Sequence, residues 1–303
     1  MKKTNGSRIT KIFVIGAIVV GLCLLVAATL NLDLFLRLYH AYQNGRLTRE
    51  AVQYEIASYD IRQPFPIKPE SSKVSPKDGM TQIYIPAGEF VMGNGNDLRT
   101  DNPQHRIYLD AYWMDEMEIT NAMYAKCLEA GKCTHPANYD AFYGIWAYRD
   151  YPVVYVNWFQ ADQYCRWGGR SLPTEAQWEK AARGTDGRRY PWGDQTPNPR
   201  LVNFNLTLIG EPVPVFRYPL GASPYGVLNM AGNVREWIAD WYDENYYQSS
   251  PYANPKGPAT GTQRLLRSGS YAEDQQQISV YTRFKHEPDS AGLSRGFRCA
   301  EMP

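Results

Sequence analysis

The sequence predicts an α+β domain that is rich in loops and is preceded by one N-terminal transmembrane helix. Residues 12–30 form a continuous apolar run, and the chain beyond residue 80 alternates short strand-like runs with amphipathic helical runs. The 24 Gly and 21 Pro residues indicate long irregular connections, and 23 Tyr, 8 Trp and 10 Phe residues supply large rings for a core.

The N-terminal run has the length of a membrane span. Residues 12–30 read IFVIGAIVVGLCLLVAATL and contain no charged residue over nineteen positions. As a helix they would extend about 28 Å, close to the hydrocarbon thickness of a bilayer. Residues 1–11 contain four Lys and Arg residues and no Asp or Glu. Because cationic flanks stay in the cytoplasm, we expect a cytoplasmic tail at 1–11 and an extracytoplasmic domain in a single-pass membrane protein.

A cleaved signal peptide is the alternative to an anchor. Val26-Ala27-Ala28 is an acceptable cleavage site, but the apolar run is longer than the hydrophobic region of a usual signal peptide. The length therefore favours the anchor. Cleavage would give a secreted protein, so both interpretations place the rest of the chain in an extracytoplasmic compartment.

Residues 31–79 are predicted to be a juxtamembrane stalk and linker. Residues 34–60 have mixed charge and a partly helical pattern, which favours a stalk over a helix that contacts lipid or a partner. Residues 61–79 contain four Pro and three Ser, a composition that buries too little apolar surface to order itself. The folded domain is therefore expected to cover residues 80–303.

The first elements of this domain are predicted to be strands. Residues 81–91 have the pattern of two short strands around a turn at Pro86-Ala87-Gly88, and residues 107–114 alternate like one further strand.

Two helices are expected next, each with a capping signal. Thr120 can cap the first, and Gly131 ends it. The second begins after Asn157, which has capping-box spacing to Gln160, and ends at Gly168-Gly169.

Two further helices are predicted downstream. One begins at Thr174, with Gln177 three residues later, and ends at Gly184. The other covers residues 234–242, because Trp237 and Trp241 have the i, i+4 spacing of one helix face.

Four of the five cysteines lie beyond the apolar run. Cys23 lies within that run, and an even number of cysteines in an oxidising compartment indicates disulfides. We predict the pairs Cys127–Cys133 and Cys165–Cys299. A zinc or CxxC redox site is the alternative, and neither spacing fits it.

The charge balance argues against a nucleic-acid partner. The chain has 32 basic and 31 acidic side chains and a formal net charge of +1. Nucleic-acid-binding domains carry an excess of basic residues, so we expect this chain to have no nucleic-acid partner. A hydrophobic content of 44% also excludes a disordered chain.

From residue 80 onward the chain resembles the formylglycine-generating enzyme family, also called sulfatase-modifying factor domains. The matching stretches are MTQIYIPAGEFVMG (80–93), DNPQHRIYLDAYWMDEMEITNAMYA (101–125), PVVYVNWFQADQYCRWGGRSLPTEAQWEKAARG (152–184), YPWGD (190–194), GASPYGVLNMAGNVREWIADWY (221–242), RSGSY (267–271) and GFRCA (296–300). The resemblance implies a C-type-lectin-like α+β fold and bound calcium. In the enzymes it also implies a copper-dependent oxidase that converts a cysteine of a sulfatase motif to formylglycine.

The copper ligands of the family are missing here. Catalytic members carry two cysteines soon after a GGSY-like strand, and these soft thiolates bind Cu(I). Aligned on Gly269-Ser270-Tyr271, the two positions hold Glu273 and Ile278. We therefore expect copper not to bind.

Calcium is the metal that the resemblance favours. The family binds it around the GNxxEW turn, which carries Asn233 and Glu236 over to this chain, and a second site carries over Asn203. Oxygen donors on irregular loops suit Ca²⁺. A helix cap at Asn233 and a first-turn dipole partner at Glu236 are the structural alternatives.

Two functions from different classes follow. The first is a non-catalytic module that binds an extracytoplasmic protein, peptide or glycan. The second is a formylglycine-generating oxidase, or a related oxidase, that uses another metal site. The missing cysteine pair favours the first. The region that corresponds to the substrate cleft of the family's enzymes supplies the candidate site residues. These are Ser270, Tyr271, Glu273, Asp274 and Arg283.

Overall fold

Short strands joined by long turns make up most of the structure, together with three α-helices in its described part. The computed structural model describes residues 71–95, 103–138, 145–207 and 209–303, and all of them belong to the unit Arg62–Pro303. The strands are β1 Ser72–Val74, β2 Thr81–Ile85, β3 Gly88–Met92, β4 His105–Leu109, β5 Tyr112–Asp115, β6 Arg235–Trp241, β7 Arg264–Arg267, β8 Phe284–His286, β9 Arg295–Gly296 and β10 Ala300–Glu301, and the helices are α1 Asn121–Glu129, α2 Trp158–Trp167 and α3 Glu175–Arg183.

These strands form three sheets. Their orders are β1-β2-β5-β10, β3-β4 and β8-β7-β6-β9. All neighbours are antiparallel except β6 and β9, which run parallel with Arg235 opposite Arg295 and Glu236 opposite Gly296. The architecture is therefore α+β, with mixed sheets and few helices.

The three helices begin where the sequence predicts them. Thr120 accepts a hydrogen bond from the Met123 amide at the start of α1. Asn157 and Thr174 each form a complete capping box, with the glutamine three residues later, at α2 and α3. These side chains satisfy backbone N–H groups that have no partner inside the helix.

The fourth predicted helix is wrong, because residues 235–241 form the strand β6. A spacing of four residues is compatible with both a helix face and a strand face, so Trp237 and Trp241 share a side in either structure. Pairing with β7 decides between them: Trp237 lies opposite Leu266, and Trp241 lies opposite Arg264 beyond an irregularity in register.

Two boundaries also differ from the predictions. Residues 107–114 contain parts of two strands, β4 and β5, which belong to different sheets. The strand β1 lies within the predicted linker and pairs with β2, so ordered structure begins before Met80. A three-residue strand has too little pattern to be recognised from sequence.

The sheet β8-β7-β6-β9 separates two hydrophobic clusters. Ile238 and Leu265 face the cluster that includes Trp178 of α3. Trp237 and Leu266, one residue away on each strand, face the cluster that includes Tyr164 of α2. Because strand side chains alternate, both faces of this sheet are buried and its strands are apolar in the middle.

Both predicted disulfides are present. Cys127 pairs with Cys133 across 6 residues, and Cys165 pairs with Cys299 across 134 residues. The second joins α2 to the C-terminal segment inside the second cluster. Residues 12–30, the predicted anchor, lie outside the described residues. In the part that the structure describes, no helix is both long and apolar enough to cross a membrane.

Candidate functional site

The candidate site is built on the turn that follows β7. Ser268 and Gly269 have positive φ angles of 81° and 71°. A Cβ at Gly269 would lie 2.9 Å from the Gln277 carbonyl oxygen and 2.9 Å from Ile278 Cγ2, so only glycine fits there. The Ser268 hydroxyl donates to the Gly232 carbonyl at 3.0 Å. This turn therefore holds Ser270 against the loop that precedes β6.

Ser270, Glu273 and Arg235 form one buried chain of polar contacts. The Ser270 hydroxyl donates to the Glu273 carboxylate, and Arg235 Nη2 forms an ion pair with the same carboxylate. Ser270 is fully buried and Glu273 is 7% exposed. A carboxylate removed from water in this way is stable only when a cation and hydrogen bonds compensate for its lost hydration. Both are present.

Tyr271 lies at the partly exposed side of this group. Its amide donates to the Asn233 carbonyl at 2.9 Å. Burial raises the pKa of its hydroxyl, and the nearby Tyr155, Glu273 and Glu211 raise it further. Tyr155 has a φ angle of 59°, which is unusual for a side chain of this size. Tyr271 is therefore a neutral hydrogen-bonding group at neutral pH.

The two positions that align with the copper ligands of the family hold side chains that do not fit this metal. Glu273 already has a cationic partner, and Ile278 is fully buried in an apolar cluster. Within the described residues, every cysteine is part of a disulfide. Cu(I) requires soft thiolate or thioether ligands, so these residues do not fit the metal. The members of that cluster are Tyr190, Leu201, Val202, Phe204, Ala231 and Ile278.

The remaining two candidates do not join Ser270. Asp274 is exposed, and its Oδ1 accepts from the amides of Gln276 at 2.8 Å and Gln277 at 3.0 Å, which makes it a turn-forming residue. Arg283 points into the core, where its Nε donates to Glu175 Oε1 at 2.7 Å. The structure therefore places Ser270, Tyr271 and Glu273 together, and it places Arg283 and Asp274 elsewhere.

Arg283 belongs to a buried ionic network around α3. Glu175 accepts from both Arg283 and Arg267, the latter at 3.0 Å from Nη1 to Oε1. Arg267 Nη2 also lies 2.5 Å from Glu179 Oε2. The arginines stack on rings as well, with Arg283 4.5 Å from the centroid of Tyr247. This network connects the start of α3 to β7 and to the residue that precedes β8.

Glu236, a predicted calcium ligand, is occupied by another cation. Arg298 binds it with two parallel hydrogen bonds, from Nε to Oε2 and from Nη2 to Oε1, each 2.7 Å long. Trp178 Nε1 donates to Oε2 at 2.8 Å. The ion pair raises the pKa of Arg298 against the effect of burial. A calcium ion would have to displace this bidentate partner.

The two asparagines also have protein partners for their oxygen atoms. Asn233 Oδ1 accepts from the Val213 amide at 2.9 Å, and Asn203 Oδ1 accepts from the Thr207 hydroxyl at 2.9 Å. Asn233 Nδ2 donates to Glu118 Oε1 at 2.8 Å. Burial raises the pKa of Glu118 to about 7, against the opposing effect of Arg298.

In these contacts, side-chain oxygen atoms of all three predicted calcium ligands accept hydrogen bonds from protein donors. No three His, Cys, Asp or Glu side chains converge on a possible metal position within the described ranges. Asn203, Asn233 and Glu236 are therefore explained as hydrogen-bonding residues of the core. Calcium binding stays a prediction from the resemblance, and this arrangement does not support it.

Sequence reasoning did not identify Arg235. It lies between the two residues taken as calcium ligands, and its partner Glu273 is 38 residues away. The one available signal was a cation inside an otherwise buried strand. Its meaning depends on the register of β6 and the shape of the following turn, which no local pattern contains.

Comparisons with known proteins agree with this fold. Residues 68–303 match the model of the sulfatase-modifying factor enzyme 1-like domain. The formylglycine-generating enzyme of Streptomyces coelicolor is 34% identical over 287 residues, which cover 74% of this chain and 90% of that protein.

Two further proteins resemble this chain, one over part of its own length and one over all of it. The serine/threonine-protein kinase pkn1 of Chlamydia caviae is 31% identical over 274 residues and 83% of this chain, which spans only 43% of that relative. The structure of PvdO from Pseudomonas aeruginosa superimposes with a TM-score of 0.68 over 78% of this chain and 100% of that chain, at 22% identity.

Proposed function

The chain belongs to the family of sulfatase-modifying factor enzyme 1-like domains, and within that family we propose that it is a ligand-binding module without copper chemistry. One observation carries the proposal. The two positions where the family's enzymes hold copper are an internal ion pair at Glu273 and a core residue at Ile278. Glu273 cannot accept a soft metal without abandoning Arg235 inside the protein, which is unfavourable.

The environment of Ser270 also argues against a nucleophile in this site. A serine needs a base to accept its proton, and that base must itself be free to take it. The Ser270 hydroxyl donates to Glu273, but this carboxylate already forms an ion pair with Arg235 and is not a free base. The three residues are better explained as a rigid support for the partly exposed Tyr271.

We place this module outside the cytoplasm, anchored by residues 12–30 and separated from the membrane by the stalk that begins at residue 31. Two disulfides support an oxidising compartment, since such bonds rarely persist in the cytosol. The proposed C-type-lectin-like fold suits ligand binding because long loops can vary without disturbing the core. A protein, peptide or glycan is the proposed partner, and calcium is not part of the proposal.

An assay for formylglycine tests the absence of catalysis. The purified chain is incubated with Cu(I), oxygen and a Cys-x-Pro-x-Arg peptide, and the peptide is analysed by mass spectrometry. We expect its mass to stay unchanged, because Glu273 and Ile278 supply no thiolate for Cu(I).

The formylglycine-generating enzyme of Streptomyces coelicolor serves as the positive control. Conversion of the peptide thiol to an aldehyde by the present chain would refute the proposal. It would favour the second function, an oxidase with a different metal arrangement. The 34% identity to that enzyme is the observation that keeps this alternative open.

A further inference from the structure

Two arginines lie side by side on one face of the sheet β8-β7-β6-β9. Arg235 of β6 is the register partner of Arg295 of β9 in the parallel pair. Partners on adjacent strands are about 5 Å apart and project to the same face. Like charges at such positions repel each other, so this pair needs a compensating anion.

Only one of the two arginines has a carboxylate partner in the described structure. Glu273 forms an ion pair with Arg235. Arg295 donates one hydrogen bond, from Nη2 to the Ala291 carbonyl at 2.6 Å, and its Nε is buried with no partner. A guanidinium has five N–H donors, and the Ala291 carbonyl is the one acceptor that the Arg295 side chain contacts within the described residues.

The surroundings of the pair are partly shielded from water. The Arg235 guanidinium lies 4.3 Å from the centroid of the Phe284 ring, and its side chain is 20% exposed. Arg295 is packed against the turn at Gly292, where an added Cβ would lie 2.5 Å from its Nη2. Partial burial strengthens electrostatic attraction relative to bulk water.

His286 adds a third basic group to this face. It lies two residues after Phe284 on β8, so both side chains are on the same side of the strand. Burial lowers the pKa of His286, and Arg295 and Arg235 lower it further, whereas Glu287 acts in the opposite direction. Burial and the neighbouring Arg235 also lower the pKa of Arg295. The positive charge of the neighbouring arginines therefore acts on both His286 and Arg295.

We propose that Arg295, together with Arg235, binds an anionic group of a ligand: a carboxylate, a sulfate or a phosphate. The planar fork of arginine suits the paired oxygen atoms of such groups. Glu273 acts as an internal competitor for Arg235 and reduces the affinity of the site. This inference deepens the proposed function, on which it rests, by naming the chemistry of the ligand.

Isothermal titration calorimetry of the full chain with sodium sulfate, phosphate or acetate tests the site. Ionic strength is held constant with sodium chloride, since screening alone changes weak electrostatic binding. We expect saturable binding of at least one anion, and the three arms identify which oxyanion is preferred. Arg295→Ala should raise the dissociation constant about tenfold or more, because the anion loses a charged hydrogen-bond partner.

Lys285→Ala is the matched control, because it removes the same charge one residue from His286. Lys285 is exposed and lies 4.5 Å from the Tyr242 ring on the opposite side of β8. The dissociation constant of the anion from the Lys285→Ala variant should equal that from the wild type. Equal losses in the two variants would reduce the effect to net charge and overturn the proposal.

Glu273→Gln provides a gain of function that misfolding cannot imitate. Removing the internal carboxylate frees Arg235, so the anion should bind more tightly than to the wild type. The absence of saturable binding for all three anions, or weaker binding by Glu273→Gln, would contradict the site. Formylglycine production in the peptide assay would instead refute the non-catalytic function while leaving the binding result intact.

Discussion

Replacing Glu175 by glutamine is expected to lower the free energy of unfolding by about 3–5 kcal/mol at neutral pH, the usual cost of removing one partner of a buried ion pair. Glu175 accepts from Arg267 Nη1 at 3.0 Å and from Arg283 Nε at 2.7 Å, and its own side chain is 2% exposed. Glutamine has nearly the same shape but no charge. Arg283 and Arg267 would therefore each lose one carboxylate partner, while Arg267 would keep its second partner, Glu179. Chemical denaturation followed by circular dichroism measures the change.

Asp186→Asn is the matched control for this substitution. It removes a carboxylate that pairs with Arg188 at 2.6 Å, but Asp186 is 56% exposed. Exposed pairs contribute about 1 kcal/mol or less, so this variant should unfold nearly like the wild type. If Glu175→Gln and Asp186→Asn changed stability equally, the network around α3 would not be a major source of stability.

The double substitution Cys165→Ala and Cys299→Ala is expected to have a similarly large effect. This disulfide closes a loop with a sequence separation of 134 residues, which is worth about 4–5 kcal/mol in the chain-entropy treatment of the unfolded state. Both cysteines are fully buried, so the shorter side chains also leave a small cavity. Denaturant unfolding of the oxidised wild type and of the variant gives the difference.

Cys127→Ala with Cys133→Ala provides the comparison. The separation is only 6 residues, and the corresponding loop-closure contribution is about 2 kcal/mol. The long-range bond should therefore be the more important of the two. A larger loss from the short-range pair would show that local strain or packing, and not chain entropy, governs the stability of these bonds.

Features encoded by nearby residues could be predicted from the sequence. The three helices begin at Thr120, Asn157 and Thr174 because each side chain satisfies an amide only three residues later. The turn between β2 and β3 likewise follows from Pro86 to Gly88. Such interactions need no knowledge of the rest of the fold.

Features decided by distant residues could not be predicted. The segment around Trp237 became a strand because β7, some 30 residues later, pairs with it. Arg283 lies in the core and not in the expected cleft, because it donates to Glu175, 108 residues earlier in the chain. Glu236 is held by Arg298, 62 residues later. Periodicity carries no information about any of these pairings.

The candidate site was predicted in part, through family resemblance and not through local pattern. The positions of Glu273 and Ile278 followed from alignment on Gly269-Ser270-Tyr271. The cation that neutralises Glu273 could be found only from the structure, as could the neighbouring Arg295. The resemblance thus gave the two positions to compare, and the structure shows that Glu273, at one of them, forms an ion pair.

Competition for Cu(I) with a coloured bicinchoninate complex tests most directly whether ion pairing has replaced the metal centre. The purified, oxidised chain is titrated into the complex without oxygen, and the absorbance reports copper that leaves the chelator. The ion pair at Glu273 and the buried side chain of Ile278 predict that no copper is withdrawn. The contradicting result is transfer of one Cu(I) per chain that Glu273→Ala abolishes and Asp186→Asn does not affect. It would show that a metal centre remains at this position.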